Sequence, residues 1–132
     1  TGTIQTRANG TLWTLRLNPQ TGAILENRQR SSQSCDFPIC NPQDVGQPFR
    51  YTYLSAHRKT SNTQTEIFDT ITRFDHQTDT LIEANLEAGE YPTEPIYAPD
   101  ANDSHQGWIL AVVYNSTRDH SEICIWNADR LE

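Results

Sequence analysis

The chain has 132 residues, enough for one ordinary domain, but 35% hydrophobic residues and a mean hydropathy of −0.71 are low for a compact globule. A net charge of −7 and the scattering of the ten Lys and Arg residues argue against binding to nucleic acid, because phosphate recognition depends on clustered positive charge. No apolar run approaches the roughly 20 residues of a membrane-spanning helix, and the first residues lack the charged-then-apolar order of a signal peptide.

Five segments alternate apolar and polar side chains and are rich in β-branched and aromatic residues, as is typical of β-strands. In chain order they are TLWTLRL (11–17), FRYTYL (49–54), EIFDTITRF (66–74), GWILAVVY (107–114) and SEICIWN (121–127). We find no convincing amphipathic helix. The pattern therefore predicts an all-β fold.

Two of these segments, each with the turn and the residues that follow it, are copies of one internal repeat. LRLNPQTGAILE (15–26) aligns without a gap with TRFDHQTDTLIE (72–83), which starts 57 residues later. Asn18 and Asp75 match at the turn, where Asn, Asp and Gly tolerate left-handed backbone, so each copy reads as a β-hairpin. A third, shortened copy begins at CIWNADRLE (124–132), where Trp126 and Asn127 match Phe74 and Asp75.

Two carboxylates follow almost the same period. Asp36 in SCDFPICNP (34–42) and Glu94 in EYPTEPIYAPD (90–100) are 58 residues apart, and an aromatic strand follows each of them. Four antiparallel strands repeated at nearly 60 residues indicate the blades of a β-propeller. The chain is therefore predicted to be a partial propeller, about two blades' worth of strands.

The repeat predicts how the chain is divided among blades. Residues 1–33 are expected to form the last two strands of one blade, 34–88 a complete four-stranded blade, and 89–132 the first three strands of the next. Because the first strand of a blade lines the central channel, Asp36 and Glu94 would face the axis. The alternative is that both acids accept backbone N–H bonds at a strand start, and the repetition leaves the two readings near parity.

Several motifs resemble those of the carotenoid cleavage oxygenases. CDFPICNPQDVGQPFRYTY (35–53) is similar to the family pattern E-F-P-x-x-N-P-x-x-x-G-x-x-Y-R-Y-x-Y. EYPTEPIYAPD (90–100) resembles G-E-P-x-F-x-P, and GWILAVVYNSTRDHSEICIWNADRL (107–131) resembles D-G-W-L-L-x-x-V-Y followed by S-E-L-x-x-x-D-A-x-x-L. The resemblance covers nearly the whole chain from about Leu12 onward.

That resemblance implies a seven-bladed propeller with a non-haem Fe(II) cofactor on its axis, held by four histidines. Such enzymes cleave carbon–carbon double bonds of carotenoids, apocarotenoids or stilbenes with O2, so the implied partners are an apolar polyene or stilbene-like molecule and O2. The chain resembles only the penultimate part of such an enzyme. Three iron histidines would precede Thr1 and the fourth would follow Glu132, so the 132 residues alone are expected to bind no iron and to be inactive.

By the same resemblance, Glu94 matches a glutamate that accepts a hydrogen bond from an iron-bound histidine, which fixes the tautomer and orientation of the ring. Asp36 matches the corresponding position of the preceding blade, where the family usually has Glu. The missing methylene shortens the side chain by roughly 1.5 Å. Either the histidine approaches, a water bridges the gap, or the bond at this position is weaker.

Other residues carry weaker expectations. Phe37 and Ile39 are candidates for the substrate tunnel, although packing in the core is the reading that a strand position favours. None of the four histidines matches a family ligand position, and surface roles are expected for them: His57, His76, His105 and His120. The three tryptophans are expected to pack between blades.

Three cysteines without a CxxC pair favour reduced thiols and a cytoplasmic location, with peripheral membrane contact expected only through regions outside this chain. The missing initiator Met and the ending ADRLE indicate a segment of a longer protein. The competing hypothesis is a non-enzymatic interaction module. It predicts that exposed strand edges pair with a second copy to form a homodimer.

Overall fold

The computed structural model describes residues 10–59, 67–103 and 106–132. Within these ranges the strands are β1 Trp13–Leu17, β2 Ile24–Gln29, β3 Cys35–Ile39, β4 Tyr51–Ala56, β5 Thr70–Asp75, β6 Thr80–Glu83, β7 Glu90–Pro92, β8 Ile96–Pro99, β9 Gly107–Asn115 and β10 His120–Asn127. A short 3₁₀ turn, Pro42–Asp44, begins at Asn41, whose side chain accepts a hydrogen bond from the Gln43 N–H. The described ranges contain no α-helix and no helix that could cross a membrane.

The strands form three antiparallel sheets. The first sheet is the hairpin β1–β2, and the middle sheet has the order β3–β4–β5–β6. In the third sheet β9 pairs with β10 on one side and with both β7 and β8 on the other. The chain is thus all-β and forms part of a β-propeller, as the sequence predicted, whereas its exact division into blades stays a prediction.

The five strands predicted from alternation are all present, but three of them start later than predicted: β1 at Trp13, β4 at Tyr51 and β5 at Thr70. β5 begins at Thr70, so Ile67 to Asp69 do not belong to it, and residue 66 lies outside the described ranges. Asp69 explains the late start, because its carboxylate accepts the Arg58 N–H at 2.7 Å. The Arg58 N–H thus bonds to a side chain instead of a backbone carbonyl, which ends the regular pairing of the two strands.

Both faces of the middle sheet are covered by other parts of the chain. Successive side chains of a strand point to opposite faces, so neighbouring residues of β4 enter different clusters. Leu54 of β4 joins Cys35, Ala56 and Phe74 in a cluster that also contacts Leu12, next to the first sheet. Tyr53, its neighbour, points the other way and belongs to the larger core between the middle and third sheets. That core comprises Tyr53, Ile71, Ala84, Ile109, Ala111, Val113, Trp126, Ala128 and Leu131.

Alternation along β9 and β10 gives the third sheet one buried and one exposed face. The side of β9 that carries Ile109 and Val113 lies in the core. The opposite side, here called the outer face of the third sheet, consists of Trp108, Val112, Tyr114, Ile123 and Ile125, all exposed. Of the three tryptophans predicted to pack between blades, Trp126 is buried in the core between the middle and third sheets. Trp108 and Trp13 are 39% and 51% exposed within the part of the chain that the structure describes.

One type of turn recurs and supports the predicted repeat. The Asn18 side chain accepts the N–H groups of Gln20 and Thr21, and Asp75, Asn115 and Asn127 accept backbone N–H groups two residues further on in the same way. Four residues after each of these side chains, the backbone enters the left-handed region. Those residues are Gly22, Asp79, Asp119 and Leu131, with φ between 51° and 70°. The turn at Asn115 was not anticipated, although NSTRD has the same Asn-to-Asp spacing.

Candidate functional site

Asp36 lies at a β-bulge in the first strand of the middle sheet. It is paired with Ser55 of β4, and the next regular pair joins Ile39 to Tyr53, so two residues of β3 oppose one of β4. Phe37 occupies the bulge with φ of 55°, a conformation that bulky residues rarely adopt. The Asp36 carboxylate accepts the Phe37 N–H at 2.8 Å. Strained backbone of this kind is concentrated at functional sites in proteins.

Glu94 lies at a comparable irregularity in the third sheet. Pro92 pairs with Val113 and Ile96 pairs with Leu110. Three residues, 93–95, therefore face two residues of β9, and this interruption separates β7 from β8. The two acids thus occupy similar places, each at an irregularity in the first part of its sheet.

The two bulges meet at the junction of the middle and third sheets. The Ser55 hydroxyl donates to the Thr93 carbonyl oxygen at 3.5 Å, and Thr93 directly precedes Glu94. Directly opposed residues of an antiparallel pair project to the same face, so the Asp36 side chain shares the face of Ser55 that is turned toward Thr93. The residue paired with Asp36 therefore contacts the residue that precedes Glu94, and the two bulges lie at one sheet junction.

Both carboxylates have unused hydrogen-bonding capacity. Asp36 and Glu94 are exposed, and Glu94 forms no hydrogen bond or ion pair with any residue of the described ranges. A carboxylate with free oxygens can accept N–H or O–H donors. Among the described residues no group of three or more His, Cys, Asp or Glu side chains could hold a metal ion. The free carboxylate oxygens are able to accept a donor group such as an imidazole N–H.

The two tunnel candidates have different surroundings. Phe37 is 42% exposed and meets the ring of Phe68 edge-on, with 6.3 Å between the ring centroids. Ile39 is partly buried and packs against the larger core. A role for either side chain in a substrate tunnel stays a prediction. A polar cavity of about 530 Å³ lies elsewhere, with Arg30 and His57 in its wall.

The described histidines make contacts that account for their positions. His76 forms a 2.8 Å hydrogen bond between its Nε2 and the Thr52 hydroxyl, and burial is the main cause that lowers its pKa. His57 stacks at a tilt on Phe68 with its Nδ1 3.9 Å from an Asp69 oxygen. His120 is exposed at the start of β10, and His105 lies outside the described residues.

The cysteine nearest to the acids is not activated. Burial, followed by the neighbouring Asp36 charge, raises the pKa of the Cys35 thiol. Burial and the Asp44 charge do the same at Cys40. A thiol with a raised pKa stays protonated near neutral pH, and the thiolate is the nucleophilic form. Neither thiol is therefore activated as a nucleophile.

Ser55 and Thr93 were missed by sequence reasoning. Ser55 is 2% exposed in the middle of a strand, and nothing in the local sequence FRYTYLSA distinguishes it. Thr93 directly precedes the glutamate in TEP, so its position in the motif offered a signal. Their contact joins residues 38 positions apart and depends on how two sheets pack.

Comparison with known proteins extends these observations. The model of the family described as retinal pigment epithelial membrane protein, RPE65, matches residues 2–132. The apocarotenoid-15,15'-oxygenase of Synechocystis sp. (strain ATCC 27184 / PCC 6803 / Kazusa) is 30% identical over 125 residues, which are 92% of this chain and 25% of that relative.

Solved structures of the apocarotenoid oxygenase from Synechocystis also superimpose on the chain. The cobalt-substituted Synechocystis apocarotenoid oxygenase (ACO) superimposes with a TM-score of 0.81 at 28% identity, covering 97% of this chain and 27% of that one. A chimera of ACO and RPE65 superimposes with a TM-score of 0.80 at 26% identity, covering 96% of this chain and 27% of the chimera. The chain thus spans about a quarter of the length of the proteins that it matches.

Proposed function

Because the chain belongs to the RPE65 family of carotenoid cleavage oxygenases, we propose that it is part of a non-haem Fe(II) dioxygenase. The complete enzyme cleaves carbon–carbon double bonds of carotenoids, apocarotenoids or stilbene-like compounds with O2. The 132 residues alone are inactive in this proposal, because the iron-binding histidines belong to other parts of the protein. The cobalt-substituted relative supports a metal-dependent family.

The observation that supports the proposal is that the bulges beside Asp36 and Glu94 lie at one sheet junction. Each acid lies at a bulge, and the Ser55–Thr93 contact joins the two bulges. Exposed carboxylates with free oxygens fit the role of accepting N–H bonds from imidazoles that hold the metal. In contrast, acids that merely cap a strand start would have their oxygens occupied by backbone N–H groups, as only one Asp36 oxygen is.

The residues of this chain contribute orientation and charge to that chemistry. A carboxylate that accepts the free N–H of a ligating imidazole fixes the ring tautomer and raises the basicity of the coordinating nitrogen. In this proposal Glu94 accepts such a bond with its full side chain, and Asp36 does so with one methylene fewer. The iron, when bound, supplies the activation of O2. No side chain of this chain is required as a general acid or base.

The proposed reaction can be tested on the complete protein. Loaded with Fe(II) and supplied with an apocarotenoid and ¹⁸O-labelled O2, it is expected to form two carbonyl products, each carrying one labelled oxygen. Removal of iron with a chelator should abolish the products and re-addition of Fe(II) should restore them. Product formation that persists without metal, or substrates recovered intact with iron present, would reject the proposal.

The compartment is part of the same proposal. We place the complete enzyme in the cytoplasm, with peripheral contact to membranes through regions outside this chain. The three cysteines are free thiols, which agrees with a reducing compartment.

A non-enzymatic interaction module is the second candidate function, and the outer face of the third sheet favours it. This face exposes five large apolar side chains, including Ile123 at 71%. β10 is hydrogen-bonded to β9 and to no other described strand, so its second edge is open. Exposed apolar strands with open edges readily pair with another copy.

The isolated 132-residue chain is therefore expected to self-associate, with a light-scattering mass that rises above 15.0 kDa as concentration increases. Ile125→Lys, which places a charge on the outer face, should return the mass toward that of one chain. Glu122→Lys, on the same strand but outside the apolar face, is the matched control and should leave association in place. A mass of one chain at every concentration would count against this surface.

A further inference from the structure

Thr93 occupies the bulge beside Glu94 with both its backbone and its side chain engaged. Its N–H donates to the Val112 carbonyl at 2.8 Å, and its hydroxyl oxygen accepts the Val112 N–H at 3.1 Å. In a regular ladder a backbone carbonyl would accept that N–H. The Thr93 side chain therefore replaces its own carbonyl as the partner of β9.

This substitution releases the Thr93 carbonyl from the third sheet. The freed oxygen is the acceptor for the Ser55 hydroxyl of the middle sheet, at 3.5 Å. Ser55 is almost fully buried, so its hydroxyl needs a partner inside the protein. The peptide unit that follows Thr93, and that leads into Glu94, is thus held between two sheets.

We propose that Thr93 and Ser55 are positioning residues that set the direction of the Glu94 carboxylate relative to Asp36. Thr93 holds the bulge open on β9, and Ser55 fixes the plane of the peptide bond between Thr93 and Glu94. Ser55 is also paired with Asp36 across β3 and β4, so the same residue adjoins Asp36 directly and is linked to Glu94 through Thr93. This inference rests on the proposed function, in which the acids orient metal-bound imidazoles.

The removal of either hydroxyl is expected to loosen Glu94 without removing it. Thr93→Val keeps the shape of the side chain but leaves the Val112 N–H without its acceptor. Ser55→Ala leaves the Thr93 carbonyl without its donor. A carboxylate with greater freedom of direction orients its imidazole less well, and the effect should be smaller than that of changing the carboxylate itself.

The test uses the complete protein loaded with Co(II), whose visible absorption reports ligand geometry, together with metal affinity from chelator competition and the melting temperature. Thr93→Val and Ser55→Ala are each expected to weaken metal affinity about threefold to tenfold and to shift the Co(II) bands, somewhat less than the loss typical for a direct outer partner. Thr93→Ser, which retains the hydroxyl, should restore both signals.

Thr72→Val is the matched control. Thr72 is fully buried in the neighbouring strand β5, and its hydroxyl has no partner among the described residues. If Thr93→Val and Ser55→Ala alter the affinity and spectrum no more than Thr72→Val does, the positioning role is wrong. A Thr93→Val protein that does not fold leaves the decision to Ser55→Ala.

Glu94→Gln in the same assay distinguishes the proposed role of the Glu94 carboxylate from the positioning role of Thr93 and Ser55. If Glu94→Gln leaves the metal affinity and the spectrum unchanged, the proposed role of the acid fails, and the positioning role fails with it. If Glu94→Gln changes both while Thr93→Val and Ser55→Ala change neither, the role of the acid stands and the positioning inference alone is overturned.

Discussion

Glu94→Gln in the complete protein is expected to lower the affinity for Fe(II) by about 10–100-fold, the range typical when an outer partner of a metal-bound histidine is changed. The amide keeps the size of the side chain but has no negative charge, so it stabilises the imidazole N–H less well. Anaerobic competition with a coloured chelator measures the change directly. Turnover with an apocarotenoid should fall in parallel.

Glu122→Gln is the control for this variant. Glu122 is an exposed glutamate on β10 of the same sheet, and β9 separates it from the bulge at 93–95. The same loss of charge at this position should leave iron affinity within error of the unchanged protein. Iron content and turnover that are also unaffected by Glu94→Gln would show that Glu94 does not act on the metal site.

Asp75→Ala is expected to lower the free energy of unfolding by about 2–3 kcal/mol. Asp75 is buried, and its two oxygens accept bonds from Arg50 Nε at 3.2 and 3.1 Å and from an Arg50 terminal nitrogen at 2.8 Å. It also accepts the Gln77 N–H in the repeated turn. The Arg50 side chain is 46% exposed, so we expect less than the loss of a fully buried ion pair. Urea unfolding measures the difference.

Glu26→Ala provides the comparison for Asp75. Glu26 pairs with Arg16 at 3.5 Å, and the side chains of Arg16 and Glu26 are 66% and 41% exposed, so neither partner is buried. An ion pair of this kind contributes roughly 0–1 kcal/mol, so the variant should differ little from the unchanged chain. If both variants lose the same free energy of unfolding, the burial of Asp75 does not strengthen its ion pair.

The pH dependence of stability follows from the same pair. The hydrogen bonds from Arg50 are the main cause that lowers the pKa of Asp75 in the folded chain. An unfolded Asp has a pKa of about 3.9. The stabilisation is therefore fully present above about pH 4 and is lost as the pH falls further, through the lowered folded value. In Asp75→Ala this part of the acid dependence should be absent when unfolding is measured between neutral and acid pH.

The strands and the repeated turns could be predicted from the sequence because each leaves a local signal, whereas the role of the two acids stays a prediction. Alternation in GWILAVVY appears directly as the buried and exposed sides of β9. The match of Asn18 with Asp75 marks turns whose side-chain bonds depend on neighbours only two or three residues away. Bonds of such short range are encoded in the order of residues.

Features that depend on sheet packing could not be predicted. The Ser55–Thr93 contact requires the relative placement of two sheets, and the left-handed backbone of Phe37 follows from a bulge that no Gly or Asn announces. The exposure of Trp108 is another case, since aromatic residues in strands usually pack against a neighbour. Trp108 is exposed because no other described sheet covers the face of β9 on which it lies.

The central claim is that the Glu94 carboxylate orients an imidazole that holds the metal. A crystal structure of the complete iron-loaded protein tests it most directly, through the distance from the nearer Glu94 oxygen to the non-coordinating ring nitrogen of an iron-bound histidine. We predict a separation of about 2.6–3.2 Å, that of a charge-assisted hydrogen bond. A Glu94 side chain that turns toward solvent, with no ligating histidine within reach, would contradict the account.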